Sequence, residues 1–156
     1  MEELIEVVLE DVPHGDLLSV VMYLVKDYKN VVDVQCSEHL STPLNCQNIE
    51  DVVVDFTKIE EGAALILRLN SLDVAGEMVP SVLLRVVKYE EKYDVDFNFS
   101  ESDLKRVEKF FFIRKLQFFT SEVAKKYKIP SFFCGVEPAS DEDTRYFTGQ
   151  YLGPLR

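Results

Sequence analysis

Apolar and polar residues alternate at every step along Tyr93-Asp94-Val95-Asp96-Phe97-Asn98-Phe99. That two-residue period predicts a strand with one buried face and a wet face carrying Asp94, Asp96 and Asn98. Three other segments, 4–9, 64–69 and 81–87, are short apolar runs and also predict strands, the first of them β-branched. The short Glu90-Glu91-Lys92 link suits an antiparallel hairpin between 81–87 and 93–99. A different period begins at Asp16, a candidate N-cap, where Leu17, Val20, Val21, Leu24, Val25 and Tyr28 recur at three- and four-residue steps. This predicts a helix over 16–29, followed by a strand over 31–36 and hence a β-α-β opening. Residues 37–47 read as loop. For 49–56, Asn48 offers a helix cap, but the β-branched run Val52-Val53-Val54 favours a strand. Ser100 with Asp103 three residues on resembles a capping box and predicts a long helix over 101–128, stopped by Pro130. Ser131 to Val136 predicts a last strand, Ser140 a capped turn through Asp143, and 149–156 a tail punctuated by Gly and Pro.

Together these elements predict an α+β fold, a central, mostly antiparallel sheet with the 16–29 and 101–128 helices packed on it. At 156 residues, 47% of them hydrophobic, the chain suits a single globular domain over 1–156 and lies well outside the disordered range.

Charge changes this picture. The net charge is -11, yet residues 104–128 hold 8 Lys/Arg against 2 Asp/Glu, while 1–103 hold 7 against 22. An acidic body repels polyanions, which argues against nucleic acid and against an anionic membrane surface, and it favours a cationic protein as partner. The odd count of three cysteines, Cys36, Cys46 and Cys134, without C-x-x-C spacing argues against a disulfide framework and a zinc site. That count, the acidic Met1-Glu2-Glu3 start and the lack of a long apolar run point to the cytoplasm.

Enzyme signatures are missing: no G-x-S-x-G elbow, no phosphate-binding glycine loop and no H-E-x-x-H pair occurs. No catalytic residue, metal ligand or cofactor is therefore assigned. His14 and His39 lie far apart in predicted loops, and Cys134 reads as a buried hydrophobe. The run Lys109-Phe110-Phe111-Phe112-Ile113-Arg114-Lys115-Leu116-Gln117-Phe118-Phe119 could stack on bases. Its apolar residues cover more than one helical face, however, which favours a core helix with a homodimer seam over 104–123.

The remaining candidate is the acidic cluster Glu137, Asp141, Glu142 and Asp143, followed by Tyr146 and Phe147. A preordered acidic knob beside two aromatic anchors suits capture of a cationic protein, and acids decorating a helix start are the simpler alternative. The stretch from Gly135 to Gly149, in a small acidic chain without catalytic motifs, resembles the immunity proteins of bacterial contact-dependent and polymorphic toxin systems. That resemblance implies a non-enzymatic binder that blocks a cognate toxin domain, often a nuclease with a basic surface. It assigns no individual residues. The alternatives are a scaffolding homodimer and an enzyme with a carboxylate-histidine site.

Overall fold

The computed structural model describes residues 3–104 and 108–155. Among these, β1 (Leu4–Val12) leads into α1 (Leu17–Val25) and β2 (Val31–Cys36), and α2 (Ile49–Thr57) follows. Next come β3 (Ala63–Val74), β4 (Glu77–Tyr89) and β5 (Lys92–Ser100), then α3 (Lys109–Lys126), β6 (Ser131–Val136), β7 (Arg145–Thr148) and β8 (Tyr151–Leu152). The strands form one sheet in the order β2-β3-β4-β5-β1-β6-β7-β8, with every neighbouring pair antiparallel. The α+β expectation holds. The opening is not a local β-α-β unit, because β3, β4 and β5 lie between β1 and β2.

Alternation along each strand sends one set of side chains to a common core. Ile5, Val7 and Leu9 of β1 stand opposite Phe99, Phe97 and Val95 of β5 and opposite Val136, Cys134 and Phe132 of β6. All three helices pack on that face. Phe56 of α2 lies 6.2 Å from Tyr93, Phe112 of α3 meets Phe99 edge-on at 5.8 Å, and Tyr23 of α1 lies 6.2 Å from Phe119 of α3. None of the helices among the described residues is long and apolar enough to cross a membrane.

Three local expectations are corrected. Residues 49–56 are helical because Ile49, Val52, Val53 and Phe56 fall on one face and are buried, while Asp55 faces Ser41 and Thr42 and accepts their hydrogen bonds. Burial of that stripe outweighs the β-branched propensity. The long helix starts at Lys109 rather than at 101. Ser100 is still paired with Leu4 in the sheet, a 3-10 turn follows over Glu101–Leu104, and the cap is Glu108, whose carboxylate accepts from the Phe110 and Phe111 amides. Residues 105–107 of the expected helix lie outside the described residues. The first helix ends at Val25 because Lys26 turns left-handed at φ 68°, and a 3-10 turn takes Tyr28–Asn30.

Two strands outrun their predicted ends. β3 and β4 continue to a two-residue turn at Ala75-Gly76, where both residues have positive φ, as a tight hairpin requires. Pro80 is tolerated inside β4 because β4 pairs with β5 only from Leu83 onward, leaving that side of Pro80 without a strand to receive a hydrogen bond.

Candidate functional site

The same alternation sends Glu6, Val8 and Glu10 of β1, Asp94, Asp96 and Asn98 of β5, and Arg85 of β4 to the other face, which no helix among the described residues covers. Arg85 stands opposite Asp96 in the ladder and donates to Asp96 Oδ2 from Nε and Nη2, both at 3.0 Å. Asp96 is only 3% exposed, and burial pushes its carboxyl up to about 6, outweighing the guanidinium; Glu6 and Asp94 push the same way. A second polar knot lies further along β5. The Tyr89 hydroxyl donates to Asp11 and Asp94, and the Asp11 amide donates to Asp94 Oδ1 at 3.0 Å. Burial and the two carboxylates hold the Tyr89 phenol protonated well beyond the usual range.

The acidic segment between β6 and β7 is a strap folded onto this face. The Glu137 amide donates to the Leu4 carbonyl at 3.0 Å, extending the β1 pairing. The Ala139 amide donates to Glu6 Oε1 at 3.0 Å, with Ala139 fully buried. Arg145 anchors the far end: Nε donates to the Ala139 carbonyl at 2.8 Å, while its guanidinium lies 3.9 Å over the Phe133 ring. Thr144 Oγ1 donates to the Asp141 carbonyl at 3.0 Å, closing the 3-10 turn over Glu142–Thr144. The strap rests directly on Gly135, where a Cβ would meet the Thr144 carbonyl oxygen at 2.5 Å.

Glu137, Asp141, Glu142 and Asp143 are all exposed, and none of their carboxylates has an ion pair or side-chain hydrogen bond among the described residues. The strap's backbone is tied down while its charges stay in water. Tyr146 and Phe147 correct the expected pair of aromatic anchors, since they are 3% and 0% exposed. Phe147 stands opposite Cys134 and meets Phe132 edge-on at 6.3 Å, inside the core. Tyr146 occupies the irregularity between the Cys134 and Gly135 pairings and lies under Lys109 of α3, whose Nζ is 5.0 Å from its ring centre. A strand register, rather than a helical face, sets their direction.

Among the described residues neither histidine forms a pair with a carboxylate. His14 Nδ1 is bonded to the Tyr93 hydroxyl at 2.9 Å, on the rim of a cavity of about 570 Å³ shared with Glu60, Glu90 and Glu91, and His39 is exposed. Cys134 is buried, which pushes its thiol up and suits a packing role. Among the described residues no group of three or more His, Cys, Asp or Glu side chains is disposed to hold a metal ion. Sequence reasoning passed over Glu6 and Arg85, although the signal was present: Glu6 breaks an apolar run at the period of the sheet, and Arg85 does the same in Leu83-Leu84-Arg85-Val86-Val87.

Comparison with known proteins bears on this arrangement. A family model described as the PABL017 Cdi1I immunity protein matches residues 3–151. No curated protein matches. Among solved structures, the toxic C-terminal tip of CdiA from Pseudomonas aeruginosa in complex with its immune protein contains a chain with a TM-score of 0.88 and 28% identity, each chain covered over 100% of its length. The match spans the whole sheet from β1 to the first residue of β8, the strap included, and the chain belongs to the PABL017 Cdi1I immunity protein family.

Proposed function

We propose that this chain is the immunity partner of a CdiA-type toxic tip and blocks it by stoichiometric binding, without catalysis, in the cytoplasm of the cell that makes it. The observation that carries this reading is the full-length likeness to the chain solved in complex with such a tip. The surface we assign to the toxin is the uncovered sheet face with its strap, and the contacts are Glu137, Asp141, Glu142 and Asp143. They form no ion pair among the described residues and are held on a fixed backbone, so binding loses little ordering entropy, although Glu137 also acts through space on Arg85. Tyr146 and Phe147 serve this surface from beneath by fixing β7, where Arg145 clamps the strap.

The test uses the purified chain and the toxic tip of the CdiA protein from the same genome. The expected result is a 1:1 complex, with growth of cells producing the tip restored only when the chain matches it in amount. Protection at far lower amounts would point to an enzyme instead, and absence of a complex at low salt would end the immunity reading. Replacing the four strap carboxylates together (Glu137→Gln, Asp141→Asn, Glu142→Gln, Asp143→Asn) is expected to slow association at least tenfold at low salt. An unchanged rate would move the binding surface elsewhere.

A further inference from the structure

On the opposite side of the molecule, α3 turns an unusual stripe to solvent. Phe118 is 62% exposed and Phe111 54% exposed, and Arg114, Glu122 and Lys125 lie along the same line. Other cations of this segment are used within the chain: Lys109 pairs with Glu101 at 2.7 Å, Lys115 with Glu77 at 3.2 Å, and Lys126 lies 4.9 Å over the Tyr23 ring. Arg114 and Glu122 have no hydrogen bond or ion pair among the described residues.

The stripe is symmetric about Phe118. Arg114 and Glu122 stand four residues to either side, one helical turn, and Phe111 and Lys125 stand seven to either side, two turns. A second α3 running antiparallel across a two-fold axis at Phe118 therefore meets its own complement. Phe118 packs on Phe118 and Arg114 faces Glu122 twice, while the Phe111 ring, already under its own Lys115 at 5.1 Å, lies opposite Lys125 of the other copy. An antiparallel register three residues off sets Arg114 against Lys125, and an in-register parallel pair sets Arg114 against Arg114 and Glu122 against Glu122.

We propose that this face of α3 is the seam of a two-fold symmetric homodimer of the chain. The seam is independent of toxin capture and lies across the sheet from the strap, so both surfaces can be occupied at once. A seam of one helix from each copy, about 21 Å along the stripe, is small for a stable interface, so the dimer is expected to form in the micromolar range.

The experiment is sedimentation velocity of the chain alone from about 1 to 200 μM, a range set by that small seam. The wild type is expected to shift from monomer to dimer. Arg114→Glu and Glu122→Arg are each expected to raise the dissociation constant at least tenfold, and the double variant R114E/E122R to restore it to within about threefold, one Arg-Glu pair on each side being re-formed. Because the double variant carries both substitutions, its recovery excludes misfolding as the cause of the single losses. A wild type that stays monomeric throughout overturns the seam, as does a dimer that neither single substitution weakens. Loss of toxin binding in Phe118→Asp from a wild type that never dimerises assigns the stripe to the toxin and overturns it too. Retained toxin binding by monomeric R114E supports the seam and leaves the immunity reading to its own test.

Discussion

Asp96 is a carboxylate that the fold prefers protonated. Its carboxyl titrates near 3.8 when solvated and at about 6 in the native sheet. A raised native value means that its contribution to stability is complete below the solvated value and is lost as pH rises through the native one. Between about pH 4 and 6 that loss is up to about 3 kcal/mol, two units at about 1.4 kcal/mol each. Urea denaturation at pH 4.5 and pH 7 should therefore show Asp96→Asn gaining on the wild type as pH rises, and parallel pH dependence in the two proteins would refute the account. At Gly135 the constraint is steric. A Cβ would sit 2.5 Å from the Thr144 carbonyl oxygen and 2.9 Å from Arg145 Cα, both backbone atoms. Gly135→Ala should cost about 1–3 kcal/mol by overpacking, read as a lowered urea midpoint, and the strap should show faster amide exchange at Ala139. The strap's carboxylates could be read from the chain, because four acids in seven residues need no partner to be noticed. The face that Glu6 and Asp96 share could be read from the period of their strands, but their burial could not, since it depends on β1 and β5, far apart in sequence, pairing in the sheet.

At the scale of elements, the sequence was most legible where periodicity and burial agree. β5 alternates at every step and is found where its alternation places it, from Lys92 to Ser100. The misreading at α2 has a definite source. Val52, Val53 and Val54 favour a strand as single residues, but only two of them, with Ile49 and Phe56, lie on the buried helical face, and Val54 is turned outward. The start of α3 was misplaced because two caps compete in sequence. Ser100 has the right chemistry, yet it is held extended opposite Leu4, so Glu108 takes the role with both carboxylate oxygens. Glu108→Ala should lower stability by about 1 kcal/mol, visible as a drop of a few degrees in Tm. A Ser100→Ala substitution matching or exceeding that drop would contradict the assignment of the cap to Glu108. Tyr146 and Phe147 misled for a related reason: the turn after Asp141 leads into β7, whose pairing with β6 faces both rings inward.

For the whole molecule, strand order was beyond reach of the sequence, because β1 is joined to β5 and β6 by pairings that no local pattern encodes. What the chain did disclose was its division of charge. Three helices cover one face of the sheet, and the strap and the carboxylates of β1 and β5 occupy the other. A field of this sign acts mainly on encounter. Association with the toxic tip should slow by roughly 10- to 1,000-fold between low and high salt, while the dissociation rate changes little; stopped-flow measurement of both rates decides this. A dissociation rate that carries the salt dependence would place the contacts in a desolvated core rather than on the charged strap.

The two ends of the sheet have a consequence of their own. At one end, β8 has only two residues and gives way to Pro154; at the other, the β2 ladder slips between Val31 and Asp33. Neither end offers a long, regular row of free amides and carbonyls on which another chain's strand could grow. Blunt sheet ends let the eight-stranded sheet be stockpiled without seeding amyloid-like stacks.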